Sequence, residues 1–346
     1  MWQGGTLVRI LRYVLRRLVL LVPVLLGTLL IAFLLTRILP GNPIDRVSGP
    51  YISKEKRAAL KSAARLDLPF YEQFVLYLGD IVTRGDLGTS YTTAQPVGKD
   101  LQQRFPATLE LVLAGIGPAV VVAIPLGVSG ALRKDSLIDQ FGRIVAAFGI
   151  SIPVFWLALV LLYVFFLILR WVPPPLGRLP AAMSAPPSLT GLFTLDAMLA
   201  GQWATFASAF ASLIMPAVSL AIITMALLAR MTRSSMIEAL VSDYVRAARA
   251  LGLPGGVVTW RYAFLNSLVP VLTIFAGVFG FALGGVVLIE FVFSWPGLGQ
   301  YTLNAILSAD FPAVQGAILL VTTVYVSIYL LLDLAVAAID PRVEAL

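Results

Sequence analysis

Apolar residues gather along the chain into six long runs, at 18–35, 107–132, 144–169, 205–229, 264–292 and 313–338, separated by polar stretches. A helix rises 1.5 Å per residue, and about 20 mostly apolar residues take it across the hydrocarbon core of a bilayer. Each run is close to or above that length, so the pattern predicts an all-α integral membrane protein with six transmembrane helices. The first run follows a basic start, as a secretory signal does. It is longer than a typical signal core, and no small-residue cleavage site precedes LTRILPGNP, so it reads as a retained helix.

Between the runs the organisation changes. Residues 36–106 carry ten basic and seven acidic side chains and read as an extramembrane, mainly helical subdomain. Within it Ser53 is placed to cap a helix from Glu55 to about Arg65. Pro69 sits where a second helix opens, with Tyr71, Phe74, Val75, Leu78, Ile81 and Val82 along one face and Gly85 and Gly88 ending it. Residues 170–204, with PPPLG and APPSLTG, read as an irregular loop. The chain thus divides into 1–35 (terminus and first helix), 36–106, a 107–338 core containing a polar loop at 230–263, and a 339–346 tail.

Composition agrees with this picture: 59% of residues are hydrophobic, 12% are charged, and mean hydropathy is +0.91. A net charge of +7 invites a nucleic-acid reading, but the distribution of Lys and Arg explains it otherwise. The side holding the termini collects Arg9, Arg12, Arg16 and Arg17, then Arg133, Lys134 and Arg143. It also collects Arg230, Arg233, Arg246, Arg249 and Arg261, and finally Arg342. The short loops opposite hold only Arg170 and Arg178. By the positive-inside rule both termini are predicted cytoplasmic, and nucleic acid is not an expected partner.

Several chemistries are excluded outright. With no cysteine and no histidine, there is no disulfide, no thiolate or imidazole metal site and no Ser-His or Cys-His nucleophile. The only Gly-Lys pair, Gly98-Lys99, has Thr93 and Asp100 where a P-loop needs Gly and Ser or Thr, so the chain does not energise itself with ATP. Three acids fall within the apolar runs: Glu110 and Glu290 near outer ends, and Asp333 near an inner end. None is at mid-depth, which argues against an ion-coupled carrier and favours hydrogen-bonded, helix-end roles. Pro23, Pro118, Pro125, Pro153, Pro216 and Pro270 are expected to loosen or bend their helices. In the third run Ser151, Pro153 and Phe155 interrupt the apolar helix with a polar group and an aromatic. Ser151 and Phe155 are therefore candidates to line a pathway with Thr273, the alternative being a packing kink.

The loop at 230–263 is helical in pattern, and DYVRAARAL within it has strong helix formers, an acid at its start and Gly252 as a stop. Arg246 and Arg249 are expected outward, and the small Ala247 and Ala248 permit close approach of another protein. From the residues alone a docking helix and a solvated amphipathic linker remain equally open. Here, however, the sequence resembles a known family. DYVRAARALGL is similar to the EAA loop of bacterial ABC importer permeases, specifically the B-type transmembrane subunits of the dipeptide/oligopeptide family, which also includes nickel and glutathione importers. LPGNP at 39–43, GDLGTSY at 85–91, RFPATLEL at 104–111, SIPVFW at 151–156, EFVFSWPGLGQ at 290–300 and IDPR at 339–342 match it in order. Two features depart from it: Arg246 replaces the loop's first Glu, and PGGVV follows LGL where charges are commoner.

The resemblance implies a type I ABC importer permease, a non-catalytic half-pore in the bacterial cell membrane that works by alternating access. It implies a homologous second permease, two cytoplasmic ATPase domains that bind ATP and Mg in place of any cofactor in this chain, and an extracytoplasmic substrate-binding protein. The expected cargo is a dipeptide or oligopeptide, with a nickel chelate, glutathione or another small solute as the alternative. It makes Asp243, Tyr244, Arg246, Ala247, Ala248, Arg249 and Gly252 the expected ATPase-coupling residues.

Overall fold

The computed structural model describes residues 3–38, 55, 61–62 and 65–339. The Ser53 cap, most of the helix expected after it, the LPGNP stretch and the 340–346 tail fall outside those residues. The described chain is mainly helical: α1 (Gln3–Ile38), α2 (Phe70–Arg84), α3 (Val97–Leu132), α4 (Leu137–Ser151), α5 (Val154–Leu162), α6 (Phe193–Leu199), α7 (Trp203–Leu240), α8 (Asp243–Ala250), α9 (Leu265–Val292), α10 (Leu298–Leu307) and α11 (Phe311–Ile339). Two π-helical segments, Tyr163–Ile168 and Val258–Phe264, extend α5 and lead into α9. Five stretches are long and apolar enough to span a membrane, and α4 with α5 supplies a sixth if that bent pair is counted as one.

That pair is the bend expected at Pro153, and it is a sharp one. The two halves meet at 103°. Ile152 is extended (φ −92°, ψ 124°), because the ring of Pro153 disfavours helical backbone at the preceding residue and supplies no N–H. Pro23, Pro216 and Pro270, by contrast, lie inside continuous helices, as do Pro118 and Pro125, so one proline of the six breaks its span. Two further boundaries move. α3 begins at Val97, ten residues before the apolar run, because the polar stretch GKDLQQRF continues the helix outside the hydrophobic segment. The 170–204 loop is not wholly irregular, since it contains α6.

The chain forms two compact units. The larger, mainly Leu109–Trp295, is built around α7, which packs against α4, α5, α6 and α9. At 38 residues α7 is roughly 57 Å long, more than the hydrocarbon core requires. Glycines bring its neighbours close. A Cβ on Gly127 would lie 2.6 Å from Thr232 Cβ, and one on Gly149 would lie 2.4 Å from Ala226 Cβ. Small residues are the means by which membrane helices gain packing contact when no hydrophobic force drives them together.

The second unit comprises Arg17–Thr108 and Pro296–Val326. Its core joins Val97 and Leu101 to Leu298, Tyr301, Ala313 and Val314, and Phe33 packs edge-on against Phe70 and Phe74 at 5.2 and 5.3 Å. α2 ends as expected, with Gly85 left-handed (φ +64°) and its N–H bonded to the last carbonyls. The GDLGTSY stretch is held by Asp310, which accepts from Ser90 Oγ at 2.6 Å and from the Thr92 N–H at 2.9 Å. Asp100 accepts from Thr93 Oγ1 at 2.6 Å and from the Tyr301 hydroxyl at 3.2 Å. Burial, with the nearby Asp100 charge, pushes the Tyr301 phenol up and keeps it a donor.

Candidate functional site

α8 begins after the extended Ser242 (φ −67°, ψ 156°) with Asp243 in its first turn, where a carboxylate complements the helix dipole and here pairs with Arg246. Its end is a Schellman arrangement. Gly252 is left-handed (φ +73°), its N–H bonds Arg249 O at 3.0 Å, and the Leu253 N–H reaches back to Ala248 O at 3.3 Å. A side chain at 252 would meet the steric cost of that conformation, about 1–2 kcal/mol. The expected helix and its glycine stop are both present.

The faces of α8 divide sharply. Val245 and Ala248, three residues apart, are buried against Val128, Ala131, Met236, Ala239, Val258 and Ala263. Tyr244, Arg246, Ala247, Arg249 and Leu251 are exposed. This corrects one point: Ala248, 2% exposed, meets the chain's own core, and of the two alanines Ala247 alone is open to another protein. The arrangement is a rigid knob, anchored by its apolar face and presenting two arginines, a tyrosine and a leucine outward.

At the α4–α5 bend a cavity of about 750 Å³ opens beside α7 and α9. Ser151, Pro153 and Thr273 line it together with Gly149, Gly277 and the apolar Ile150, Ile223, Leu227, Ile274, Val278 and Phe281. Phe155, which the sequence groups with Ser151, is exposed and is not among these lining residues. The lining contains no titratable side chain, and Thr273 Oγ1 donates to Val269 O at 3.0 Å. Such a wall can touch a passenger through apolar surface and a few hydroxyl or backbone groups. It offers no acid or base to activate those hydroxyls. Among the described residues no group of His, Cys, Asp and Glu is placed to hold a metal ion.

What holds the 170–204 loop was not legible in the sequence. Arg178 donates through Nε (3.2 Å) and Nη2 (2.5 Å) to Glu110 Oε2, and its guanidinium lies 3.5 Å over the Phe193 ring. The other oxygen of Glu110 accepts from the Thr194 N–H and hydroxyl, both at 2.7 Å. Asp196 accepts from Thr190 and from the Gly191 N–H. Glu110 therefore has the hydrogen-bonded role expected of it; Glu290 is fully buried and Asp333 half-buried. The available signal was one of two arginines in a proline-rich loop and a lone acid at a span end, but nothing in the sequence pairs them.

With this geometry in place, similarity to known proteins is decisive. Residues 123–345 match the family described as binding-protein-dependent transport system inner membrane component. Residues 10–112 match its N-terminal companion. The chain belongs to this family of ABC importer permeases. The dipeptide transport system permease protein DppB of Alkalihalophilus pseudofirmus is 39% identical over 334 residues, covering 96% of this chain and 99% of that protein. The probable D,D-dipeptide transport system permease protein DdpB of Escherichia coli is 40% identical over 323 residues, 93% of this chain and 94% of that one. A di/tripeptide transport system permease protein DppB of Pseudomonas aeruginosa is 39% identical over 335 residues, again 96% and 99%. The permease is a multi-pass membrane protein of type I ABC architecture.

Proposed function

We propose that this chain is the transmembrane subunit of an ATP-driven importer of dipeptides and short oligopeptides and forms half of its pore. The observation that carries the reading is near-full-length similarity to permeases named for dipeptide transport. The outward face of α8 supports it. Tyr244, Arg246, Ala247 and Arg249 dock into a groove of a cytoplasmic ATPase, Asp243 and Gly252 bound the helix, and Ala248 anchors it from behind. A homologous second permease completes the pore, two ATPase domains bind ATP and Mg, and an extracytoplasmic binding protein delivers the peptide. The chain is itself non-catalytic. ATP binding biases a two-state equilibrium of the assembly, and the cavity at Ser151 and Thr273 is this subunit's part of the path. The termini and α8 face the cytoplasm, as the basic residues near them imply.

Reconstitution with the second permease, the ATPases and the binding protein tests the reading: labelled dipeptide enters proteoliposomes only with ATP and all subunits. Uptake by this chain alone, driven by a proton or sodium gradient, would overturn it in favour of a secondary carrier. Because the chain has no native cysteine, single cysteines report topology. Ser62→Cys labels with an impermeant thiol reagent from outside the cell, and Lys134→Cys, in the exposed turn between α3 and α4, labels only after the membrane is opened.

A further inference from the structure

A second cavity, about 320 Å³, lies where α3, α4 and α7 meet. It is at the end of α7 that leads into α8. Its polar rim holds Arg143, Arg230, Arg233 and Asp139. Asp139 is buried and already satisfied: Arg233 grips it through Nε and through Nη2 at 2.8 Å, and it accepts from the Asp135 N–H at 3.0 Å. That pair cancels in charge. Arg143 reaches Asp135 only at 4.0 Å, with both side chains more than half exposed, and Arg230 is exposed. The rim is therefore left with two positive charges at a pocket mouth.

The interior differs in character. Gly130 and Gly142 line it, and a Cβ on Gly142 would lie 3.6 Å from Leu126 Cγ across the cavity wall. Beyond them Leu126, Ala146 and Ile150 make an apolar limb. The other face of α4 exposes Leu137, Phe141, Ile144 and Phe148, an apolar surface that belongs against acyl chains. An inorganic anion satisfies the rim and leaves the limb unfilled; a neutral lipid fills the limb and leaves the rim's net positive charge unmet. An amphiphile with a negative head meets both demands.

We infer that this pocket binds one anionic phospholipid of the leaflet on the α8 side, with its phosphate between Arg143 and Arg230 and an acyl chain along Leu126, Ala146 and Ile150. Ile150 also lines the larger cavity at the α4–α5 bend, so the lipid abuts one wall of the proposed path. The inference does not depend on what that path carries.

The test uses the full permease purified with its partner subunits in detergent, with native mass spectrometry counting adducts of added phosphatidylglycerol and phosphatidylcholine. The expected result is a clear preference for phosphatidylglycerol. The Arg143→Gln/Arg230→Gln double variant, which leaves the Asp139–Arg233 pair intact, should lose about thirty-fold in affinity for it. Gly142→Val, which narrows the limb without touching charge, should weaken binding as well. Equal binding of the two lipids, or an undiminished preference in the double variant, overturns the site. Retention in Gly142→Val reduces it to surface attraction, and displacement by millimolar inorganic phosphate reduces it to a free-anion site. A preference seen only after the ATPases are stripped away assigns the pocket to a partner's acidic segment instead.

Discussion

Arg178 and Glu110 stand 68 residues apart in sequence and 2.5 Å apart in space, with 7% and 4% of their side chains exposed. The pair joins the 170–204 loop to the beginning of the second span, and Thr194 and Phe193 complete the enclosure.

Breaking this pair from one side strands a buried charge. Arg178→Met or Glu110→Gln should each destabilise the 170–204 loop by about 3–5 kcal/mol, whereas replacing both by apolar residues should cost distinctly less. Protease susceptibility of residues 170–204 and the thermal midpoint of the detergent-purified protein measure the difference. Equal loss in the single and double variants would show that the charges are not coupled.

Asp196 makes the same loop sensitive to acid. Burial pushes its carboxyl up, but hydrogen bonds from the Thr190 hydroxyl and N–H and from the Gly191 and Leu189 N–H groups outweigh that, holding it below the usual carboxylate range. A depressed folded pKa contributes stability above the unfolded value and loses it as pH falls through the folded one. Amide exchange at Thr190 and Gly191 should therefore hold steady from neutral pH down to about 4 and accelerate below it, once the intrinsic pH dependence is removed. Asp196→Asn should exchange faster at neutral pH and show no such step.

In the cavity, position separates Ser151 and Thr273 from Phe155. Ser151→Trp or Thr273→Trp should lower peptide uptake by about tenfold, equivalent to roughly 1.4 kcal/mol of barrier, with assembly unchanged. Phe155→Ala should leave uptake near wild type. Normal transport by both tryptophan variants would remove this cavity from the path.

For α8, neighbouring alanines give opposite outcomes. Ala248→Glu places a charge in the chain's own core and should cost several kcal/mol of stability. Ala247→Glu should fold and insert normally while ATPase co-purification falls about tenfold or more. Wild-type ATPase retention by Ala247→Glu would favour the solvated linker over the docking helix.

Hydropathy revealed five of the spans because twenty apolar residues in a row have few other places to go. α8 was legible for a different reason, as its acid, its helix formers and Gly252 are all local signals and the cap they imply is local too. The inward turn of Ala248 was readable from its spacing to Val245, but the small side chain suggested a partner's approach before it suggested the chain's own core. SIP marked an irregularity without its size: proline disfavours helix at Ile152, but that local rule does not specify the 103° between the two halves. The Arg178–Glu110 pair left no trace, because pairing across 68 residues is a property of the fold and of no pattern along the chain.

The π-helical segment Val258–Phe264 sits between α8 and α9, and each of its turns holds more residues than an α turn. It thereby sets the azimuth of α9, deciding which side of that helix carries Thr273, Gly277 and Phe281 into the cavity. Were one residue removed and the segment to relax to an α-helix, everything beyond it would rotate by about 100° and turn a different stripe of α9 inward. The number of residues between α8 and the fifth span thus decides which stripe of α9 faces the cavity.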